Sequence, residues 1–338
     1  MPSADVAARR QSGRTKAATP RVAYLIVSHT LPDQVLRLAS VLRRDSPDGL
    51  LVLHHDDRRS RVDRHELDAL GVHVIEPPSA ADWGEISLLT TVLRGLDWCL
   101  THTDFDWLVL LSGQDYPIRP VVEIEQSLAS ADVDAFIETR QCDPPGLRKP
   151  LDEFSGRYYF RWHRARSERL ASLARAAARK GAVVRTRALP SGTWIGVRGW
   201  RSPFGPHLIC HQGADWFSLS RDAVQTVAEF VDRHPEILRY YSRTLHPTES
   251  FIQTVLANDA DTHVSGDHRR YTVWDEPNQT GPRVLRLGDL DPMLGSGCDF
   301  ARKFDQTVDG AVLDAIDRRV HSSPFPGQSP SQLHGGAS

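Results

Sequence analysis

Four apolar runs, each closing on polar residues, constrain the fold of this chain more than any other feature. The runs are RVAYLIVSH (21–29), GLLVLHHDD (49–57), VHVIE (72–76) and DWLVLLSGQD (106–115). A near-continuous apolar run is typical of a strand that is buried on both faces, as in a parallel sheet. Because segments with helical apolar spacing separate the runs, the pattern predicts an α/β fold. We expect an open, mostly parallel, twisted sheet that is flanked by helices and Rossmann-like in architecture.

The polar ends of these strands indicate where a ligand would bind. Three of them read VSH, HHDD and SGQD. In open α/β sheets, ligands bind beyond the carboxyl ends of the strands, so these side chains are expected at one binding edge. The length of 338 residues suits a single large domain, which we place at 21–320 between disordered tails at 1–20 and 321–338.

Composition excludes several classes of function. A net charge of -2 argues against nucleic-acid binding as the main activity. No apolar run approaches the ~20 residues that a membrane-spanning helix needs. The four cysteines are scattered without a C-x-x-C pair, which predicts neither a zinc site nor a disulfide framework and favours a cytoplasmic location.

The missing motifs narrow the ligand to a nucleotide-sugar. No G-x-G-x-x-G follows the first strand, and neither a P-loop nor a G-x-S-x-G elbow occurs. Many nucleotide-sugar transferases hold a metal ion with D-x-D at a strand end. The D-x-D strings here, at 104–106, 132–134, 259–261 and 289–291, are poorly placed for that role. SGQD offers one carboxylate, which makes a poor Mg²⁺ or Mn²⁺ site, so we expect no metal cofactor.

Positive side chains could then stabilise a leaving diphosphate in place of a metal ion. FARKFD (300–305) supplies adjacent Arg302 and Lys303 between aromatic residues. An ordinary surface pair of basic residues is the alternative interpretation.

A candidate general base lies in HPTESFIQTVL (246–256). Thr248 is predicted to cap a helix that carries Glu249 in its first turn, where the amides and the helix dipole would favour the ionised carboxylate. Acids in first turns are also common stabilisers of helices, so this alternative stays open.

The segment 161–201 is strongly basic. It holds ten Arg and one Lys against the single acid Glu168, a formal charge of +10. Leu170, Leu173 and Ala177 lie at helical spacing, which predicts an amphipathic basic helix. A solvated insertion and a docking surface for an anionic partner explain the segment equally well.

One signature and its ordered companions resemble a known family. LSGQDYPI (111–118) resembles the L-S-G-x-D-[FY]-P-[IL] signature of the core-2/I-branching β-1,6-N-acetylglucosaminyltransferase family, which includes peptide-O-xylosyltransferases. Further segments resemble this family in order along residues 20–310, although Glu85 replaces a glycine and Arg59 a lysine. These segments are AYLIVSH, HHDDRRS, WGEISLLTTVL, GADWFSLS, HPTESFIQTVL and FARKFD.

The resemblance implies a metal-independent, inverting transferase of the GT-A fold that forms a β-linkage. Its donor would be a UDP-sugar, UDP-GlcNAc or UDP-xylose above all, with no other cofactor. Glu249 matches the catalytic base and Lys303 a basic residue at the diphosphate, beside Arg302. A further Arg lies upstream in the family, and Arg283 and Arg286 are both candidates. The donor and nucleoside segments contribute Ser28, His29, His55, Asp57, Trp83, Gly84 and Asp115.

The acceptor side of the resemblance rests on three residues. Glu138 matches a Glu that contacts the acceptor sugar, and Trp216 and Trp274 are candidate aromatic platforms. Core packing is the competing interpretation of Trp216. A hydroxyl-bearing glycan, polymer or small molecule is the expected acceptor. The lack of an apolar anchor favours a soluble, bacterial-type member, and a non-catalytic sugar-nucleotide- or glycan-binding protein of the same fold is the alternative.

Overall fold

The computed structural model describes residues 20–142, 155–179, 183–199, 201–275 and 281–320. Both predicted tails lie outside these ranges, except for residue 20. The first half of the chain alternates strands with helices, as the apolar runs predict. Its elements are β1 (Val22–Ser28), α1 (Pro32–Asp45), β2 (Leu50–His55), α2 (Arg64–Ala69), β3 (Val72–Val74), α3 (Ile86–His102) and β4 (Trp107–Ser112).

The middle of the chain is more irregular. It contains β5 (Asp115–Pro117), α4 (Val121–Ala129), β6 (Ala135–Ile137), β7 (Arg140–Gln141), α5 (Ser155–Tyr159), β8 (Phe160–Arg164), α6 (Glu168–Ala178), β9 (Val184–Leu189), β10 (Gly192–Arg198), β11 (His211–Gln212) and β12 (Phe217–Ser220). The rest comprises α7 (Arg221–Arg233), α8 (Pro235–Tyr241), a 3₁₀ turn (Pro247–Glu249), α9 (Phe251–Asn258), β13 (Arg270–Tyr271), a second 3₁₀ turn (Leu287–Asp289), α10 (Leu290–Leu294), β14 (Phe300–Arg302), α11 (Gln306–Asp309) and α12 (Ala311–Val320).

The central sheet has six strands in the order β3-β2-β1-β4-β12-β6. The strands β1 to β4 are parallel, whereas β12 runs antiparallel between β4 and β6. The predicted α/β fold of GT-A type, with an open and mostly parallel sheet, is therefore confirmed.

Helices cover both faces of this sheet because successive strand residues point to opposite sides. On one face, Tyr24 and Ile26 of β1 pack in one apolar cluster with helices α1, α4 and α12. On the other face, Ala23 and Leu25 pack in a second cluster with α3, α7 and α9. These four side chains, two on each face of β1, are fully buried, which explains why the run is apolar throughout.

The polar ends of the parallel strands meet at one edge, as predicted. In register, Ser28 pairs with His55, and Val27 with Ser112. The strand that begins at Trp107 ends at Ser112, earlier than the apolar run suggests. Asp115 instead starts β5, which belongs to a small sheet of order β13-β14-β5.

The basic segment forms an antiparallel sheet of its own, with the order β8-β10-β9. The predicted basic helix is present as α6. Leu170 and Leu173 are 49% and 62% exposed on this helix, and Ala171 is its buried residue.

The helices of the described ranges include none with the length and apolar character needed to cross a bilayer.

Candidate active site

Glu249 precedes the helix in whose first turn the sequence predicts it. It ends the 3₁₀ turn Pro247–Glu249, and α9 begins only at Phe251. Thr248 makes no capping hydrogen bond to the backbone; its side chain is hydrogen-bonded to Asp215. The predicted capped helix start at Thr248 is therefore wrong, because the left-handed backbone of His246 (φ 50°) and Pro247 impose a separate turn first.

The surroundings of Glu249 favour its neutral form, contrary to the expectation of a dipole-stabilised carboxylate. Burial raises the pKa of Glu249 to about 8, against the opposing charge of Arg157, and the nearby carboxyl of Asp215 raises it further. Arg157 donates a hydrogen bond to Glu249 Oε2. A carboxyl that titrates near neutral pH has the basicity that suits a general base.

His246 sits on the other oxygen of this carboxyl. Its Nδ1 lies 3.4 Å from Glu249 Oε1. Burial, aided by the charges of Arg157 and Arg187, lowers the pKa of His246 to about 3, so the imidazole is neutral and this contact is not an ion pair. The His246 ring meets the Trp83 ring edge-on at 4.4 Å between centroids.

Trp83 and Gly84 therefore contact His246, the neighbour of Glu249. Gly84 accepts a hydrogen bond from the His246 amide at 2.9 Å and has a φ of +80°, a conformation that L side chains rarely adopt. The family resemblance assigned both residues to donor binding. In the structure they contact His246, which lies beside Glu249.

Arg302 and Lys303 are adjacent in the chain but differ in surroundings. The guanidinium of Arg302 lies 3.9 Å from the Trp216 ring centroid, and its Nε is 3.4 Å from Asp115 Oδ1, with both ionic groups buried. Lys303 is half-buried. Burial and the charge of Arg59 lower the pKa of the His29 imidazole, and the charge of Lys303 lowers it further. Lys303 and Arg59 are thus both cations near the polar end of β1.

Asp115 holds the turn after β4. It accepts hydrogen bonds from the Ser112 amide at 2.9 Å and the Ser112 hydroxyl at 2.8 Å. Its side chain is fully buried. This geometry explains why an acid closes SGQD: the carboxylate fixes the backbone and faces Arg302.

The predicted nucleoside segment gathers at the ends of β1 and β2. Ser28 Oγ lies 2.7 Å from His55 Nδ1, and His55 Nε2 lies 2.9 Å from the Ser60 carbonyl oxygen. Asp57 is half-buried and 3.6 Å from Arg64. The neighbouring Asp56, which the sequence did not single out, is buried and paired with Arg58.

The upstream arginines differ in how they are engaged. Arg283 pairs with both Asp275 and Asp289, at 3.0 and 2.5 Å, whereas Arg286 is exposed. A hydrogen bond of 2.8 Å from the Leu285 amide to the Lys303 carbonyl oxygen brings this segment alongside Lys303.

The predicted acceptor residues are spread out. Glu138 accepts a hydrogen bond from the Ala214 amide at 3.1 Å, and the next amide back, that of Gly213, donates to the Glu249 carbonyl oxygen at 2.9 Å. Glu138 is therefore close to Glu249. Trp216 is partly buried under Arg302, and Trp274 is 55% exposed.

Sequence reasoning missed Arg157 and Asp215. Asp215 has a pKa raised by burial, and its Oδ1 is buried without a hydrogen-bond partner. Its position inside the GADWFSLS segment was an available signal, whereas Arg157 carries none, since its pairing arises only through the fold.

Within the described ranges, no three His, Cys, Asp or Glu side chains group as a metal site would require.

Comparison with known proteins identifies the family of this chain. The family model for the core-2/I-branching enzyme matches residues 22–158 and 193–294. β-Glucuronosyltransferase GlcAT14A of Arabidopsis thaliana is 26% identical over 330 residues, which are 88% of this chain and 64% of that protein. Xylosyltransferase 2 of Pan troglodytes is 27% identical over 340 residues, 91% of this chain and 34% of that protein.

A second plant relative matches more closely over a shorter stretch. β-Glucuronosyltransferase GlcAT14B of Arabidopsis thaliana is 36% identical over 123 residues, 34% of this chain and 28% of that protein. The chain thus spans about a third to two thirds of the full-length relatives it matches throughout. Since the family model covers well over half of the chain, the protein belongs to the core-2/I-branching enzyme family.

Proposed function

We propose that this protein is an inverting glycosyltransferase that moves a sugar from a UDP-sugar to an acceptor hydroxyl without a metal ion. The observation that carries the proposal is the Glu249 carboxyl, whose pKa of about 8 and pairing with Arg157 suit a general base. Lys303 supplies a positive charge at the polar end of β1. The relatives named above, a glucuronosyltransferase and a xylosyltransferase, support the reaction class.

The reaction is a single displacement at the anomeric carbon of the donor. Glu249 removes the proton of the acceptor hydroxyl while that oxygen forms the new glycosidic bond. The bond from the sugar to UDP breaks, and its electron pair leaves on the diphosphate. Lys303 balances this charge, with Arg283 or Arg286 as a second cation. No second carboxylate is required, because a diphosphate leaves without protonation.

Xylose, glucuronate and N-acetylglucosamine are the proposed donor sugars. The first two follow from the names of the relatives, and the third from the family resemblance. Thermal unfolding with UDP-xylose, UDP-glucuronate, UDP-GlcNAc and UDP-glucose ranks them, because a ligand that binds only the folded state raises Tm.

The Glu249→Gln variant tests the mechanism. We expect UDP release to fall 10²–10⁴-fold, the usual effect of losing a general base, while UDP still raises Tm. Glu66→Gln, an exposed glutamate on α2, is the matched control and should retain full activity. Loss of UDP binding together with turnover would show a structural role for Glu249 instead.

Two further results would refute parts of the proposal. EDTA-treated protein should remain active, so a requirement for Mn²⁺ contradicts the role of the cations. Binding of UDP-sugars with no release of UDP, across a broad acceptor panel, would favour the non-catalytic binding protein.

A further inference from the structure

Two strands of the basic sheet, β8 and β9, lie outside the part of the chain that the family model matches, whereas β10 lies inside it from residue 193. The family model skips residues 159–192, which contain β8, α6 and β9. Residues 161–201 carry ten Arg and one Lys against one acid. A strongly charged unit that the family model covers only in part is a natural place for a property specific to this protein.

One face of this sheet lies next to His246 and the 3₁₀ turn that carries Glu249. A Cβ atom at Gly84 would stand 3.2 Å from both Leu189 Cδ1 of β9 and His246 Cε1, so Leu189 and His246 border the same position. Leu189 also packs with Phe160, Trp162 and Leu245, and Trp83 packs against this cluster. The face that carries Leu189 therefore adjoins the residues that hold Glu249.

The strand register places two arginines and a tryptophan on that face. Arg187 shares it with Leu189, because residues two apart on a strand point the same way. Trp194 of β10 lies directly opposite Arg187 on one side and Arg164 of β8 on the other. Trp194 packs against the Leu189 cluster, and the charge of Arg187 reaches His246. The result is a row across the sheet, Arg164–Trp194–Arg187.

We propose that this row binds the acceptor, and that the acceptor is a glycan carrying carboxylate groups. The inference rests on the proposed glycosyl transfer, because it assigns the acceptor of that same site. A guanidinium binds a carboxylate through paired hydrogen bonds, and an indole ring offers an apolar face to a sugar ring. The row starts beside His246, so a chain bound along it would present a hydroxyl toward Glu249.

We choose a glycan over a lipid surface because the exposed leucines lie on helix α6 and not in the row. A bilayer would engage Leu170 and Leu173 on helix α6. The row that adjoins the base instead combines an aromatic ring with cations, which suits a sugar chain.

Binding measurements with defined oligosaccharides test the proposal. The probe is an oligogalacturonate, and the control probe is its methyl ester, which has the same backbone without the charge. We expect the native protein to bind the acid form, more weakly at high salt, and to bind the ester at least tenfold more weakly. Equal binding of both forms overturns the proposal.

Two double variants locate the site. Arg164→Gln with Arg187→Gln should weaken oligogalacturonate binding by roughly tenfold or more, as expected for lost charge-assisted hydrogen bonds. Arg169→Gln with Arg179→Gln removes the same charge from exposed positions on α6 and its C-cap, and should leave binding nearly unchanged. Equal losses in both would show diffuse charge attraction and refute the row.

Three controls separate the possible failures. The rise of Tm with UDP reports the proposed function and the fold, and should persist in both double variants. If the first double variant does not fold, Arg164→Gln alone, at an exposed position of the edge strand β8, should still weaken binding. Polyglutamate that binds as tightly as the glycan, or anionic vesicles that bind through Leu170 and Leu173, would replace the glycan with a peptide or a lipid.

Discussion

Arg157 of the short helix α5 donates a hydrogen bond to Glu249 Oε2, across 92 positions of the chain. Both side chains are largely buried, at 16% and 22% exposure. A buried carboxylate is costly unless a cation faces it, so this arginine sets how readily Glu249 ionises. Glu249 and Arg157 come from segments that only the folded chain brings together.

Removing the charge of Arg157 should shift the pH dependence of turnover. Burial already raises the pKa of Glu249 to about 8, and Arg157 opposes that rise. In Arg157→Gln, the acidic limb of kcat/KM against pH should therefore move above 8, because the base must be ionised to act. Arg157→Lys keeps the charge and should stay closer to the native profile. A limb that does not move in Arg157→Gln would separate this arginine from the titration of Glu249.

The raised pKa of Glu249 also predicts how stability depends on pH. The unfolded carboxyl ionises near 4.5 and the folded one near 8, so rising pH favours the unfolded chain across this window. Glu249→Gln removes that penalty. The Tm of the variant relative to the native protein should rise from pH 4.5 to 8 and then level off. Thermal unfolding across that range checks the prediction, with Glu66→Gln as the control, and a constant difference would contradict it.

The apolar pattern was sufficient to predict the sheet and the edge at which its polar strand ends meet. Runs such as that around Ile26 are buried on both faces, which is typical of strands in a parallel sheet that helices cover on both sides. Parallel strands place their carboxyl ends together, so Ser28 and His55 were expected at the same edge, where the structure pairs them. The resemblance singled out Glu249, which the structure places beside Arg157 and His246.

What the sequence could not predict depends on contacts between distant segments. Arg302 and Lys303 look equivalent in FARKFD, yet Asp115 and Trp216 surround only Arg302. The Thr248 side chain, which was expected to cap a helix, is instead hydrogen-bonded to Asp215, and a separate 3₁₀ turn precedes α9. Spacing along the chain contains no information on either pairing.

This difference between neighbouring cations leads to opposite predictions for their variants. Lys303→Gln should weaken UDP binding about 10- to 100-fold, the effect of one lost charge-assisted hydrogen bond, with little change in Tm. Arg302→Gln should destabilise the fold by about 1–3 kcal/mol, because it removes one of the two arginines, Arg302 and Arg270, whose charges act on the fully buried Asp115. Isothermal titration with UDP and thermal unfolding separate the two, and a stability loss larger in Lys303→Gln than in Arg302→Gln would reverse the assignment.

Asp215 should act on Glu249 in the direction opposite to Arg157. Its charge raises the pKa of Glu249, so Asp215→Asn should move the acidic limb of kcat/KM to lower pH. Since Asn is close to Asp in size and keeps a polar contact for Thr248, the turn that holds Glu249 should persist. The shift distinguishes an electrostatic role from a structural one, because a merely loosened site would lower kcat at every pH without moving the limb. Combining Asp215→Asn with Arg157→Gln should return the limb toward its native position, whereas a limb as high as in Arg157→Gln alone would show that Asp215 does not act through charge.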